Sequence, residues 1–274
     1  MRILMCGDVV GRSGRRVICD TLPRLRDELQ LDFIIVNGEN AAGGFGITPK
    51  ICQQFLDAGA DVITTGNHVW DQKDIRSHFA IEKRLLRPHN YPESNPGGGI
   101  AVYEMKHNRS ILVLHFMALL FMAPLSDPFA GVEKELLNWR LSSSVDAIIL
   151  DFHGEATSEK MAMGHMLDGR VSAVVGTHSH VPTADAQILP KGTAYISDVG
   201  MCGDYNSVIG MKKEVSIARF RQQVPVSKLE VALGEATLCA ILIETSDKTG
   251  LAKRIAPIRI GGRLAPEMPN WAKS

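Results

Sequence analysis

Six short runs rich in Ile and Val recur along the first two thirds of this chain, and each ends abruptly in a polar or glycine-containing cluster. The runs cover residues 2–6, 32–36, 61–65, 147–150, 172–175 and 194–197. Continuous apolar runs of this length are typical of strands that are buried on both faces. We therefore predict a set of buried strands whose carboxyl ends carry polar turns.

Helical patterns lie between several of these runs. Residues 15–29 repeat apolar side chains every three or four positions, which indicates an amphipathic helix. Thr48 and Pro49 are typical of an N-cap followed by proline at the first helical position, so a helix is predicted from there to about Ala58. A third helix is predicted over residues 133–141. The alternation of strands and helices predicts an α/β fold with a largely parallel central sheet.

The last 60 residues differ in character. Residues 215–220, 231–235, 236–245 and 252–259 have the pattern of consecutive strands, and residues 246–250 that of a hairpin connection. We expect these strands to form the antiparallel part of a second sheet packed on the first. Since the chain has no repeat and no linker-like stretch, residues 1–274 are predicted to form a single domain.

The charges of the chain balance, with 30 Lys and Arg residues against 30 Asp and Glu residues. This balance argues against a broad basic surface for long nucleic acid, although it permits a local site for a small anion. The longest apolar run, residues 111–123, is too short for a membrane span, which needs about 20 residues. We therefore predict a buried segment there and no membrane partner.

Five cysteines are scattered along the chain without any CxxC pair. Disulfide-stapled secreted scaffolds and thiolate zinc sites have closer and more regular spacings. The sequence therefore predicts reduced, mostly buried thiols in a cytoplasmic protein.

The candidate ligand side chains that follow the predicted strands are of four types only: Asp, Glu, Asn and His. In open α/β sheets, ligands bind outside the carboxyl ends of the strands. The residues at those ends are Asp8, Glu39, Asn40, Asn67, His68, His153, His178 and His180. Oxygen and imidazole ligands without thiolate suit iron, manganese, zinc or cobalt.

The number of these residues bears on the number of ions. A structural zinc ion takes four ligands, so the seven candidates other than His68 exceed one such ion and fit two ions bridged by a carboxylate. His178 and His180 are expected on one side of an extended segment, where they can serve neighbouring ions. Taken singly, Asp8 could instead cap a helix, and Glu39 with Asn40 could be turn formers. Their joint occurrence at successive strand ends favours the metal site.

A glycine-rich turn at residues 7–14 follows the first strand and opens a helix, as in a dinucleotide-binding fingerprint. Its spacing is GxxxGxxG and not GxGxxG, and Asp8 would repel a pyrophosphate. No GK[ST] follows, so a Walker loop is excluded as well.

Six segments resemble the YmdB-like branch of the calcineurin-like metallophosphoesterases over residues 1 to about 260: GDVVGRSGR, VNGENAAGGFGIT, GNHVWD, DFHGEATSEK, GTHSHVPTAD and SDVGM. The resemblance implies a four-layer αββα sandwich of two mixed β-sheets flanked by helices. The wider superfamily usually begins with Asp-x-His, whereas Asp8 here is followed by Val10, so the resemblance supplies Asn40 as the missing ligand. Near residues 112–122, His115 and Ala118 replace the pattern of relatives, which usually carry a glycine-arginine pair before the Phe-Met.

The resemblance also implies a division of the ligands between two ions. One ion is held by Asp8, Glu39, Asn40 and His180, and the other by Glu39, Asn67, His153 and His178. Glu39 bridges both ions, which would be iron, with manganese or zinc as alternatives. His68 is implied as the general acid. The activity implied is a phosphodiesterase acting on small nucleotides, including 2′,3′-cyclic nucleotides, in a homodimer or homotetramer.

The expected mechanism is attack by a metal-bridging hydroxide, with His68 protonating the leaving oxygen. Glu155 and Asp198 are each weighed as carboxylates that orient a ligand histidine, against a surface role. Arg12, Arg15 and Arg16 are weighed as substrate contacts. The remaining histidines are expected to be structural: His78, His89, His107, His115 and His165. Two alternatives stay open, a nucleotide-responsive regulatory metalloprotein whose hydrolysis is secondary, and a structural metalloprotein.

Overall fold

The computed structural model describes residues 1–222 and 228–273. The strands of these residues are β1 (Arg2–Cys6), β2 (Asp8–Val9), β3 (Phe33–Asn37), β4 (Val62–Thr64), β5 (Ile100–Met105), β6 (Arg109–Met117), β7 (Ala147–His153), β8 (Ala173–Thr177), β9 (Gln187–Ile188), β10 (Ala194–Ile196), β11 (Met201–Asp204), β12 (Ala236–Thr245) and β13 (Ala252–Ile260). The α-helices are α1 (Gly11–Glu28), α2 (Pro49–Asp57), α3 (Ile75–His78), α4 (Pro128–Glu135), α5 (Thr157–Met166) and α6 (Lys213–Gln222).

The first sheet is built around the long strand β12. Strand β13 pairs antiparallel along one edge of β12, and β1 and β11 pair antiparallel along the other. Beyond β1, strands β3 and β4 continue in parallel, and β2 pairs parallel with β11. The second sheet has the order β5-β6-β7-β8-β10-β9, in which the four inner strands are parallel and the two outer ones antiparallel. Both sheets are therefore mixed.

Three separate apolar clusters define the layers. The middle cluster joins residues of both sheets, such as Ile3 of β1 and Val113 of β6. Alternate residues of the same strands, such as Leu4, face α1 and α2 in a second cluster. The third cluster packs the outer face of the second sheet, with Leu114, against α4 and α5. Because the central strands, such as β3, β7 and β8, are buried on both faces, the layers stack as helix, sheet, sheet and helix, and the four-layer αββα sandwich is confirmed.

The C-terminal hairpin lies in a different sheet from the one predicted. Its antiparallel pairing is confirmed, and the turn is closed by the Gly250 N–H, which donates to the Ser246 carbonyl at 2.8 Å. However, β12 pairs with β1 in the first sheet, whereas strands β5 to β10 form the second. The hairpin covers the free edge of β1, a long-range pairing that local sequence does not specify.

Two further predicted strands are wrong. Residues 215–220 belong to helix α6, and residues 231–235 form no strand beyond a single bridge between Val231 and Met211. The helix predicted over 133–141 is largely misplaced, since helix α4 covers Pro128–Glu135 and overlaps the prediction only at residues 133–135. It begins at Pro128 because Asp127 caps it by accepting hydrogen bonds from the N–H groups of Phe129 and Ala130. Val215 and Ile217, which favour strands, alternate with smaller or polar residues, and a partly exposed helix accommodates the same pattern.

The apolar run at residues 111–123 is only partly buried. Its first half lies in β6 and is buried, but in the loop that follows β6 the side chain of Phe121 is 89% exposed. The cysteine prediction is confirmed, since the five thiols are free and all except Cys19 are buried. Among the described residues, no helix has the length and apolar character that a membrane crossing requires.

Candidate metal centre

The strand ends bring all eight predicted site residues together at one edge of the two sheets. Their positions are Asp8 in β2, Glu39 and Asn40 after β3, Asn67 and His68 after β4, His153 at the end of β7, and His178 and His180 after β8. Parallel strands end at the same edge of a sheet, so turns that are distant in sequence meet there. The chemistry of the site depends on how these side chains face one another.

The carboxylates and imidazoles form two groups that share Glu39. One group contains Glu39, His153 and His178, and the other contains Asp8, Glu39 and His180, with the donor atoms of each group within 4.8 Å of one another. The four imidazole and carboxylate residues other than His178 are buried. Two groups of this composition around one carboxylate have the form of a bridged two-ion site.

One asparagine joins each group. The Asn67 Oδ1 lies 3.0 Å from His153 Nε2, and the Asn40 Oδ1 lies 3.1 Å from His180 Nε2. The two resulting sets of four coincide with the two ligand sets that the family resemblance implies. Their role as metal ligands stays a prediction.

In the second group, the lone pairs of His180 Nε2 and Asn40 Oδ1 point toward each other. His180 Nδ1 lies 2.8 Å from the Ile209 carbonyl oxygen, which can only accept, so Nδ1 carries the proton of the neutral ring. The Asn40 amide donates through Nδ2 to the Gly44 carbonyl at 3.0 Å, which turns its Oδ1 toward His180 Nε2. Two acceptors thus face each other, and Asp8 Oδ1 nearby is buried without a hydrogen-bond partner among the described residues. This donor set fits a cation.

The first group is oriented in the same way by its outer contacts. Thr177 Oγ1 donates to Asp151 Oδ1 at 2.8 Å and therefore accepts from His153 Nδ1 at 2.9 Å. His153 Nε2 then points inward, 3.2 Å from Glu39 Oε1 and 3.1 Å from His178 Nδ1. Such outer contacts fix the tautomer of a ligand histidine in metal sites generally.

The position of Glu155 bears on whether it orients a ligand histidine or is only a surface residue. Its Oε2 lies 3.3 Å from His178 Nε2, on the side of the ring that faces away from Glu39. The carboxylate can accept a hydrogen bond from Nε2–H, which leaves the unprotonated Nδ1 facing the interior. Glu155 therefore contacts a predicted ligand histidine and is not only a surface residue.

Burial and neighbouring charges shift the pKa values at this edge. Burial raises the pKa of Asp8 to about 6. Burial by itself also raises the pKa of Glu39, but the facing imidazole of His153 holds it below its usual range. Burial lowers the pKa of His153, yet the carboxylates, Glu39 foremost, raise it to about 9. Burial, reinforced by His153, lowers the pKa of His178 to about 3. One positive charge is therefore favoured beside Glu39, as a proton or as a metal ion.

The backbone that carries His178 and His180 is a turn and not the extended segment predicted. Strand β8 ends at Thr177, and the φ angles are 103° at His178 and 65° at His180. Left-handed backbone is uncommon for residues other than glycine. The two rings face the two ligand groups, and a turn with left-handed φ angles separates them, not the strand pleat that was predicted.

His68 lies beside the two groups. Its backbone N–H donates to Glu39 Oε2 at 3.4 Å, and its Nδ1 lies 2.8 Å from Asp71 Oδ2. The ring meets Phe45 edge-on, with 5.1 Å between the ring centroids, and the side chain is 27% exposed. With Nδ1 bound to a carboxylate, Nε2 is the ring nitrogen left for a substrate.

Several residues of the site were not identified from the sequence. Thr177 and Asp151 lie behind His153, and Lys160 of α5 contacts Asp198. Asp151 and Thr177 lie in the segments DFHGEATSEK and GTHSHVPTAD, two residues from and next to a predicted ligand, and these positions are the signal that could have identified them. Lys160 lies on a helix, as the last residue of the segment DFHGEATSEK, and the resemblance assigns it no role.

The arginines near Asp8 have mixed surroundings. Arg15 donates through Nη1 to the Ala41 carbonyl at 2.6 Å, so it supports the loop after Asn40. Arg16 lies 3.4 Å from Asp20 on the exposed side of α1, and Arg12 is exposed. The contacts of Arg15 and Arg16 favour local structural roles.

Comparisons with known proteins agree with this architecture. The family model described as YmdB-like protein matches residues 4–258. The chain is 45% identical over 260 residues to the 2′,3′-cyclic-nucleotide 2′-phosphodiesterase of Bacillus subtilis (strain 168), covering 95% of this chain and 97% of that protein.

Two solved structures share the fold over nearly the whole chain. A hypothetical protein from Thermus thermophilus has a TM-score of 0.88 and 40% identity, with coverage of 96% of this chain and 100% of that one. A novel phosphatase from Mycoplasma pneumoniae has a TM-score of 0.89 and 35% identity, with coverage of 100% and 96%.

Proposed function

This chain belongs to the YmdB-like protein family, and from that membership and the site geometry we propose that it is a metal-dependent phosphodiesterase. The observation that carries the proposal is the pair of ligand groups sharing the buried Glu39. A single bridging carboxylate between two groups of carboxylate and imidazole ligands suits a centre of two cations, which clamps a phosphoryl group. The name of the relative supports 2′,3′-cyclic nucleotides as the substrate class.

The residues of each group would hold one ion. Asp8, Glu39, Asn40 and His180 would hold the first, and Glu39, Asn67, His153 and His178 the second. When bound, the ions would supply Lewis acidity to the phosphoryl oxygens and lower the pKa of a water molecule. Iron is the metal we expect first, and manganese and zinc also suit these ligands.

The role of the protein itself is to orient these groups and to supply a proton. The outer hydrogen bonds of the three ligand histidines point their free nitrogens inward. His68 can deliver a proton from Nε2 to the leaving oxygen, while Asp71 holds the opposite nitrogen. A cyclic nucleotide needs this proton because its leaving group is a ribose alkoxide.

A comparison of leaving groups tests the role of His68. His68→Ala should slow hydrolysis of 2′,3′-cyclic AMP by about 10²–10⁴-fold. The same variant should hydrolyse bis-p-nitrophenyl phosphate at nearly the rate of the unmodified protein, since p-nitrophenolate leaves without a proton. Equal losses on both substrates, or none on the cyclic nucleotide, would contradict the acid role.

Metal analysis tests the two-ion centre. Glu39→Gln should abolish binding of both ions and activity together, because the bridging charge belongs to both groups. A Glu39→Gln protein that retains full activity without bound metal would end the proposal. The substrate should be sought in a panel of 2′,3′-cyclic nucleotides, 3′,5′-cyclic nucleotides and dinucleotides.

The other predictions about the whole protein remain to be tested. They are a single domain over residues 1–274, a homodimer or homotetramer, and a cytoplasmic location. The regulatory alternative predicts a partner whose binding needs the intact site but not turnover, and pull-downs with His68→Ala and Glu39→Gln would separate the two roles.

A further inference from the structure

A buried ion pair lies directly behind the turn that carries His178 and His180. Lys160 Nζ of α5 is 3.0 Å from Asp198 Oδ2, in the connection after β10, and both side chains are 1% exposed. Neither residue belongs to the two ligand groups. Lysine and aspartate are almost never fully buried unless they are paired, so this placement calls for a physical reason.

The pair holds the backbone of the turn on both sides of His178. Lys160 Nζ also donates to the Thr177 carbonyl at 2.8 Å, and the Ser179 N–H donates to Asp198 Oδ2 at 2.9 Å. Asp198 Oδ1 is held in turn by the Gly200 N–H at 2.8 Å. The carboxylate is therefore fixed at both oxygens, and the ammonium is fixed between it and the turn.

The turn needs such support because its backbone is strained. His178 and His180 both have left-handed φ angles, of 103° and 65°. Strained conformations of residues other than glycine persist only where the surroundings over-determine them, and they cluster at functional sites. In this turn the two rings diverge, so that His178 Nδ1 lies 3.1 Å from His153 Nε2 while His180 Nε2 lies 3.1 Å from Asn40 Oδ1.

We propose that Lys160 and Asp198 are positioning residues that hold this turn in the geometry in which His178 serves one ion and His180 the other. The inference rests on the proposed two-ion centre. A merely structural role, fastening α5 to the second sheet, is the competing explanation, and a buried ion pair is by itself weak evidence for stability. The two explanations differ in what happens to the metal.

The proposal predicts that both ions are weakened together. The turn supplies one ligand to each ion, so releasing it with Lys160→Met or Asp198→Asn should lower both affinities by about 10–100-fold. Glu155→Gln provides the contrast, because Glu155 contacts His178 only, and it should weaken one of the two ions. Mn²⁺ affinities are measured by competition with a fluorescent chelator, which does not depend on activity.

A second ion pair provides the matched control for stability. Arg26 contacts Asp61 and also donates to the Gly59 carbonyl at 2.7 Å, while Asp61 accepts from the Ile34 N–H at 2.7 Å. These hydrogen bonds repeat the pattern of Lys160 and Asp198 at the amino-terminal ends of the strands, with the difference that the side chains of Arg26 and Asp61 are 30% and 34% exposed. Arg26→Met should therefore lower the unfolding temperature without changing either Mn²⁺ affinity.

The outcomes separate the inference from the proposed function. If the unmodified protein binds fewer than two Mn²⁺ ions, the two-ion centre fails. If it binds two, and Lys160→Met and Asp198→Asn bind both with unchanged affinity or lose only one, the positioning role is overturned. Should neither variant fold, amide exchange of Ser179 in the chelator-treated unmodified protein decides: slow exchange supports the clamp, and exchange at the rate of an open loop refutes it.

Discussion

Replacing Thr177 by valine removes one hydroxyl from behind His153 and changes almost nothing else. Thr177 is fully buried, and valine has nearly the same shape, so no cavity forms. The lost Oγ1 accepts from His153 Nδ1 at 2.9 Å and donates to Asp151 Oδ1 at 2.8 Å. The substitution therefore leaves one buried donor and one buried acceptor without that partner.

The magnitude follows from those two contacts. Each buried polar group left unsatisfied costs about 1–3 kcal/mol, so Thr177→Val should lower the free energy of unfolding by about 2–6 kcal/mol. Losing the outer partner of a ligand histidine typically lowers metal affinity by about 10–100-fold. At about 1.4 kcal/mol per factor of ten, that is about 1.4–2.8 kcal/mol of binding free energy. Asp151 keeps its contact with Asn37 Nδ2 at 3.2 Å, which limits the loss of stability.

Thr64 supplies the matched control. It is also fully buried in a strand, but its Oγ1 has no hydrogen-bond partner in the part of the chain that the structure describes. Thr64→Val should therefore preserve Mn²⁺ affinity and leave stability unchanged or higher. Chelator competition gives the affinity, and urea unfolding in chelator gives the stability of the metal-free protein. If Thr177→Val bound metal as tightly as Thr64→Val, the orienting role of the hydroxyl would be refuted.

Three further predictions concern the centre and its surroundings. Gly66→Ala should lose bound metal, because a Cβ at this position would lie 1.9 Å from Glu39 Oε2 and 2.4 Å from His153 Nε2; metal analysis at wild-type content would contradict the geometry. Metal binding at pH 7 should release a proton from His153, whose pKa is raised to about 9, so calorimetric enthalpies should differ between buffers of unlike ionisation enthalpy. Burial lowers the pKa of His115, so the unfolded chain binds the proton more readily, and stability should be full above about pH 6.5 and fall as the pH decreases. Urea unfolding of metal-free His115→Phe should show a shallower pH dependence than the unmodified protein; equal slopes would exclude His115 as the cause.

The site was more predictable from the sequence than the arrangement of the sheets. Each candidate ligand lies within a few residues of the end of a buried run, and the parallel strands of such folds end at one edge, so local sequence was sufficient to group them. The sheet that receives the C-terminal hairpin depends on the pairing of β12 with β1, across more than half of the chain. Nothing local to either strand encodes that choice.

The residues that were missed show a second limit. Lys160 precedes the turn that it supports by 17 residues and lies on a helix, where a lysine is ordinarily solvated. Only the packing of α5 on the second sheet buries it against Asp198. Helix α6 shows the opposite error, an element predicted where none of that type exists. The alternating pattern at residues 215–220 predicts a strand, but the segment is a helix on which Phe220 is 83% exposed.

The direction of the hydrogen bonds, more than the identity of the residues, favours a cation at this edge. Acidic and histidine residues can equally form ion pairs with one another, as Glu39 and His153 do. At His180, however, Nδ1–H donates to the Ile209 carbonyl, and at Asn40 the Nδ2 amide donates to the Gly44 carbonyl. The two acceptor atoms that face each other, His180 Nε2 and Asn40 Oδ1, repel unless a cation lies between them or the His180 ring is protonated. A chain whose own charges sum to zero thus arranges neutral groups to favour a cation, which is what a site for an anionic phosphodiester requires.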